Sequence, residues 1–365
     1  MFKKIEIWIL YLCLVLSIIF SFAFAVLVRQ ELEGYTKIGS INIEFLSKPA
    51  TYLARLPERF LMEIIVEPFR VDDPWKEKKS FYNQTGFEGS YDTSERYLLL
   101  SRFDGDIKQG VIELIDLRSF KIIHSWNPDI DHINALITNT DEFKYIERDD
   151  NDSRKMLVHP ILLSDLDLFF GWYSPIRKID ACSKLVWQND QDAFHHSIEE
   201  DIDGNFWAPI HLKPSSLSKE EVGSNFLDDA IAKFSKDGDL LYKKSVAEIL
   251  IENGMEYLLF AVGDMGFTKN PIHLNDIQPV NFDGMFWRKG DLFLSLRHQS
   301  MVLLYRPTTN EIIWKSTGNF YHQHDVDIIN EHTISVFNNN SKDFFDGDKV
   351  DGHNEIIIYD FIKNQ

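Results

Sequence analysis

The sequence predicts an all-β fold behind a single N-terminal membrane helix, and three observations carry that prediction. Short apolar runs recur from about residue 80 to the C-terminus with Gly, Asp and Asn between them. Aromatic residues make up 13% of the chain, 28 of them Phe, which favours many short strands over helical bundles. Residues Ile7 to Val28 form one uncharged stretch after Lys3 and Lys4.

That stretch comes first. Its 22 residues reach ~33 Å as a helix, enough to cross a ~30 Å hydrocarbon core. The two lysines orient it, keeping the N-terminus cytoplasmic and placing everything after Val28 outside, on the periplasmic side. Ala23-Phe24-Ala25 imitates a signal-peptide cleavage site, but the run exceeds a usual signal core, so residues 1–28 are read as a retained signal anchor. Residues 29–79 read as a juxtamembrane spacer. Within it, Tyr52 to Met62 has the pattern of a short amphipathic helix ended by Pro68 and Pro74.

Residues 80–365 carry the repeats. One unit runs Tyr97–Arg102, Gly110–Asp116 and Lys121–Trp126; a second has Pro175–Asp180 and Lys184–Trp187; a third has Ala230–Phe234 and Asp239–Tyr242. The fourth is the cleanest, with Leu292–Arg297, Met301–Arg306 and Glu311–Trp314, and a fifth ends the chain with Thr333–Phe337 and Glu355–Asp360. Each unit is a strand, a strand ending in Asp or a basic residue, a tight turn, and a last strand. With the strand before it, each makes a four-stranded antiparallel blade, so the repeats predict a β-propeller. Five blades are clear; a sixth is expected from residues 131–170 or from joining the chain ends. The recurring Trp126, Trp187 and Trp314 are expected to pack between blades.

Composition excludes several functions. The net charge of −19 rules against a nucleic-acid partner, which needs clustered Lys and Arg. Of the two cysteines, Cys13 lies in the apolar run and Cys182 stands alone, so no disulfide staples the exported part and no Cys-x-x-Cys chemistry exists. An anionic ligand would need a local positive constellation.

Such a constellation is present. The first strands of several units read Phe194 to Glu199, Ile272 to Gln278 and Tyr321 to Asp327, each with histidine. Aligned by repeat, His196, Asn275 and His324 are equivalent, and His273 matches His322. Innermost propeller strands line the central channel, so these side chains converge there. Arg297 ends the second strand of the fourth unit and adds a planar, permanently charged fork suited to a tetrahedral oxyanion. A neutral imidazole is also a competent nucleophile. The same histidines with Asp276 and Asp325 have zinc-ligand chemistry, but Arg297 in the cluster opposes a cation. The remaining histidines, His159 and His211 among them, are read as ordinary core or surface residues. Asn83-Gln84-Thr85 fits a glycosylation sequon, and the acidic run Asp343 to Asp348 is read as a solvated loop rather than a calcium site.

The strings HHSIEEDIDGNFW (195–207), HLNDIQPV (273–280), LSLRHQS (294–300) and YHQHDVDII (321–329), in that order, resemble the arylsulfate sulfotransferase family. The resemblance covers roughly residues 190–345 and implies a six-bladed propeller, no cofactor, and transfer of a sulfuryl group from an aryl sulfate to a phenolic acceptor. It implies His324 as the nucleophile, and His196, His273, Asn275 and Arg297 as groups that hold the sulfuryl oxygens, with His196 or His273 protonating the leaving phenolate. His195 and His322 stand beside them, and the doubled histidines leave each motif's functional member open. A non-catalytic tethered propeller that binds sulfated or phenolic ligands is the alternative.

Overall fold

The computed structural model describes residues 6–64 except 33, 34, 36 and 39, and residues 86–364 except 88, 141, 145, 224, 262–268, 345 and 346. The chain divides into two compact units, residues 1–70 and 71–365. The sequon and the prolines at 68 and 74 lie outside the described residues, as does the centre of the acidic run at 343–348.

The first unit holds two helices. Ile7–Leu32 has a mean hydropathy of 2.7 and buries none of its residues, so by length and composition it is able to cross a membrane. The second helix was expected over 52–62 but runs from Glu44 to Ile64. It starts earlier because the Asn42 side-chain oxygen accepts from the Glu44 N–H, satisfying one of the donors a helix start leaves free. Pro49 and Pro57 lie inside it, each forgoing one backbone bond.

The second unit is a five-blade propeller arrangement of antiparallel sheets in chain order. The blades run Tyr97–Asp104, Gln109–Asp116, Lys121–Trp126; then Ile161–Leu162, Leu168–Phe170, Ile176–Ile179, Leu185–Asn189. The third contains Ala193–Phe194, Glu199–Glu200, Phe206–His211, Asp229–Phe234 and Leu240–Ser245. The fourth contains Leu274–Pro279, Leu292–Leu296, Met301–Arg306 and Glu311–Thr317. The fifth contains His324–Asn330, Thr333–Asn338 and Glu355–Asp360, with a hairpin of Ser341–Phe344 and Gly347–Val350 inserted. Residues 131–170 do not make a sixth blade. They form the short helices Ile130–Asn134 and Ile146–Asp149 and then the first strands of the second blade. Among the described residues there is no sixth sheet of this kind.

The turn that follows the Asp-ending strand of a unit shows why the repeat is visible in sequence. Asp116, Asp180 and Asp360 each accept a backbone N–H two residues on, from Arg118, Cys182 and Ile362. Ser235 does the same for Asp237. These are side-chain-capped turns, which Asp and Ser favour. Each turn closes through a left-handed residue: Phe120, Ser183, Gly238, Asn310 and Asn364 have φ of 52°, 64°, 91°, 58° and 56°. In the fourth blade Arg306 replaces the Asp and forks onto Asp291 instead.

The core lies between blades rather than inside one. Ile112 and Trp126 of the first blade cluster with Leu168 and Ile179 of the second, and Phe169 and Ile176 with Phe206 and Phe234 of the third. Ile231 clusters with Leu294 and Leu303, and Val302 and Leu304 with Val326 and Ile334. The three tryptophans act at these seams, as expected. Trp126 is fully buried and donates to the Leu166 carbonyl; Trp187 donates to the Lys236 carbonyl; Trp314 packs on Tyr359 and Phe361. Seam packing holds each inner strand in place, and so positions the histidines.

Candidate active site

The histidines gather where the inner strands begin. In the third blade the inner strand is broken: Phe194 pairs with Ile210 and Glu199 with Trp207. The inner segment therefore has two more residues than its partner, and the surplus pushes out His195 and His196. Both are buried. The His196 N–H donates to the Trp172 carbonyl and the His195 N–H to that of Pro209.

His196 lies at the middle of the group. Its ring centroid is 5.0 Å from that of His273, 5.7 Å from His324, and 5.3 Å from Trp172. Its Nδ1 is 2.8 Å from Nδ1 of His195. His273 also meets His298 at 4.4 Å, and His298 lies 6.1 Å from His322. Arg297 begins a short 3-10 turn after the second strand of the fourth blade, and its N–H donates to the His273 carbonyl. Its positive charge bears on both His273 and His324.

Asn275 is buried close by; its Nδ2 donates to the Gln323 carbonyl, while its Oδ1 has no hydrogen-bond partner. His322 stands one residue before Gln323, whose side chain is tied to Ser295 and to the Met301 carbonyl. His196, His273 and His324 thus share one cluster. Arg297 acts on the latter two, His195 backs His196, and His322 approaches from the His298 side.

The sequence alignment of these residues needs one correction. His196 was matched with Asn275 and His324, but its backbone matches His273 and His322: the three have φ of 60°, 53° and 50°. His159, read as an ordinary histidine, has φ of 48° and precedes the inner strand of the second blade in the same way. Four blades therefore carry a left-handed histidine at or near the start of the inner strand, the one in the third blade lying in the break between Phe194 and Glu199. Aligned on the left-handed histidine, His196 to Glu199, His273 to Asp276 and His322 to Asp325 match without a gap, and the doubled histidines at 195/196 and 322/324 hide that register in the sequence.

Burial sets the protonation of the cluster. It pushes His324 down to about 4, with the Arg297 charge lowering it further. His273 is lowered to about 3 by burial and by His298, and His196 to about 2 by burial and by His195, His273 and His324. All three are neutral at pH 7. The Asn270 side chain fixes one tautomer: its Oδ1 accepts the His273 backbone N–H, so its Nδ2 faces and donates to His273 Nδ1. His273 then carries its proton on Nε2.

The same strands carry carboxylates that act on one another, Glu199, Asp276, Asp325 and Asp327. Burial raises Glu199, and Asp276, Asp325 and Asp327 add to that. Asp276 is pushed up to about 7, by burial first and by Asp325 next.

Sequence reasoning missed several neighbours. Trp172 lies between His196 and His159, whose ring it meets at 5.9 Å, and Tyr173 is 6.0 Å from His196. These two aromatics also wall a cavity of about 680 Å³ with Phe143, Met156 and Arg154. His211 stacks on His195 at 4.1 Å, and both face the buried Asp229. The signal available for His159 was its place just before an inner strand; His211 and Asp229 become neighbours through strand pairing.

The inner strands of this propeller arrangement bring imidazoles together, and the charge of one guanidinium acts on two of them. Residues 159–365, more than half of the chain, match the arylsulfotransferase (ASST) family. The chain belongs to that family. No curated protein matches it. Solved structures similar to it include BamB from Moraxella catarrhalis, at 10% identity and a TM-score of 0.34, over 70% of this chain and 57% of that one. The streptogramin B lyase structure has 12% identity and a TM-score of 0.35, covering 73% of each chain. The Dos1 propeller has 9% identity and a TM-score of 0.37, over 80% of this chain and 64% of that one.

Proposed function

We propose that this protein transfers a sulfuryl group from an aryl sulfate to a phenol through a sulfohistidine on His324. The observation that carries the reading is that the His196 ring lies 5.0 Å from that of His273 and 5.7 Å from that of His324, with the charge of Arg297 acting on the latter two. Family membership favours transfer over a propeller that only binds.

His324, held neutral, attacks the sulfur with its ring lone pair. An N–S bond forms as the S–O(aryl) bond breaks, and the aryl oxygen leaves with the bond pair. Arg297, the His273 Nε2–H and His196 stabilise the sulfuryl oxygens, whose charge grows during transfer. Imidazoles held neutral donate hydrogen bonds better than they donate protons, so the departing phenolate takes its proton from solvent. A second phenol then gives up its proton to solvent, its oxygen attacks the same sulfur, and the N–S bond breaks with its electron pair returning to the His324 ring. Trp172 and Tyr173, between the cavity and His196, supply aromatic faces for the aryl group. The chemistry draws on no cofactor, because the donor carries its own activated group.

The reading extends to the fold and its location. A sixth blade, closed by the chain ends, completes the propeller. Helix Ile7–Leu32 acts as a retained anchor with the domain on the periplasmic side. Residues 80–365 are the catalytic domain.

The test is turnover of 4-nitrophenyl sulfate by the full chain in detergent, with and without phenol. Phenol-dependent nitrophenol release is expected, lost in His324→Ala and kept in His332→Ala. Release that His324→Ala leaves intact would exclude the sulfohistidine.

A further inference from the structure

We propose that His195, His211 and Asp229 form a binding site for a divalent cation of the zinc type, placed directly behind His196. His211 and Asp229 are cross-strand partners at the end of the third blade, and Ala193, two residues before His195, pairs with His211 from the other side. The pairing delivers two imidazoles and a carboxylate to one point, with all donor atoms within 4.8 Å of one another.

Three features favour a cation over a plain hydrogen-bonded triad. Asp229 Oδ1 lies 3.2 Å from His195 Nε2 and 3.1 Å from His211 Nε2. Charge-assisted N–H···O bonds are shorter, about 2.7–2.9 Å, whereas two ligands on a tetrahedral zinc at about 2.0 Å stand about 3.3 Å apart. Asp229 Oδ1 and His195 Nε2 are both buried, and their contact at 3.2 Å falls short of good hydrogen-bond geometry although the carboxylate and both imidazoles attract one another. The other carboxylate oxygen, Oδ2, accepts the Leu274 N–H, an outer partner of the kind that orients a metal-binding carboxylate. Two imidazoles and a carboxylate suit zinc, with one position left for water. Arg297, the cation that would oppose a metal, bears on His273 and His324 instead.

The cation has a consequence for the proposed transfer, and this part rests on that reading. A metal on His195 Nε2 requires the proton on Nδ1, which then donates to His196 Nδ1 at 2.8 Å. His196 is left with its proton on Nε2, a donor for a sulfuryl oxygen. With Asp229 alone as partner the bond runs the other way, and His196 Nε2 is bare.

The full chain, purified in detergent without chelator, is assayed for metal by mass spectrometry. After chelation it is titrated with zinc and with cobalt(II), whose visible bands report tetrahedral coordination. About one zinc per chain is expected. Zinc should raise Tm of the chelated protein. His211→Gln, a half-buried change, should weaken zinc binding by more than ~100-fold while its circular dichroism stays native. Less than about a tenth of a zinc per chain, with no Tm response to zinc or cobalt, overturns the site; so does unchanged zinc affinity in His211→Gln. Turnover is read separately: a protein that binds zinc but transfers no sulfuryl group keeps the site and loses the transfer reading.

Discussion

His195 and His196, neighbours in sequence, face one another through their Nδ1 atoms at 2.8 Å. Two ring nitrogens at that distance share one proton, so the partner behind His195 decides which tautomer His196 presents to the cluster. Removing His195 should therefore act through His196. His195→Ala is expected to lower kcat by ~10-fold or more with little change in KM, and His195→Asn, which keeps a donor and an acceptor, to restore part of it. Steady-state kinetics on the two variants check this; equal loss in both would point to packing.

The pH profile should be unusual for a histidine enzyme. His324 is held down to about 4, so the nucleophile stays bare well below the ordinary histidine range. The transfer rate should stay level from about pH 8 to about pH 5 and fall tenfold per unit only beneath about 4. An acid limb near 6.5 in initial rates would contradict it.

Stability should respond to the same burial. The folded pKa values of His196, His273 and His324, about 2, 3 and 4, lie below the unfolded value of 6.5. Between those limits the unfolded chain binds protons that the folded one refuses. Stability is therefore intact above 6.5 and is lost as pH falls from there towards 4. Thermal unfolding scanned across this window reads it, and a triple His→Gln variant should flatten the slope.

Asp276 works in the opposite direction. Its folded value is raised to about 7, so its contribution is intact below the unfolded value of 3.8 and lost as pH rises through 7. Asp276→Asn keeps an oxygen for the Val326 N–H and removes a buried charge. It should raise stability by ~1–2 kcal/mol at pH 8 and by little at pH 4. Denaturant melts at the two pH values check the difference.

The seams should be sensitive to volume. Trp126 is fully buried between the first two blades, and Trp126→Ala should cost ~3–5 kcal/mol. Gly238→Ala should cost less: φ of +91° is unfavourable for alanine, and its Cβ would sit 3.3 Å from the Trp187 ring. Urea unfolding midpoints rank the two.

Much of the architecture was legible because it is local. Capped turns at Asp116, Asp180 and Asp360 and a Trp near the end of three outer strands recur at fixed offsets, and the apolar run at 7–28 needs only counting. Of the two sources expected for a sixth blade, residues 131–170 supply none, because two of their apolar runs belong to the second blade.

By itself the sequence determined the apolar N-terminal helix, the blade repeat and the stretches that hold the site, since period and turn chemistry are properties of neighbouring residues. Only the tertiary structure decided which histidines are equivalent, that His159 matches His196 in backbone, and that His211 and Asp229 stand behind His195. Those facts depend on strand register and on backbone conformation, which the doubled histidines hide in the sequence. A shift of one residue there turns a side chain to the opposite face, and residue counting does not register it.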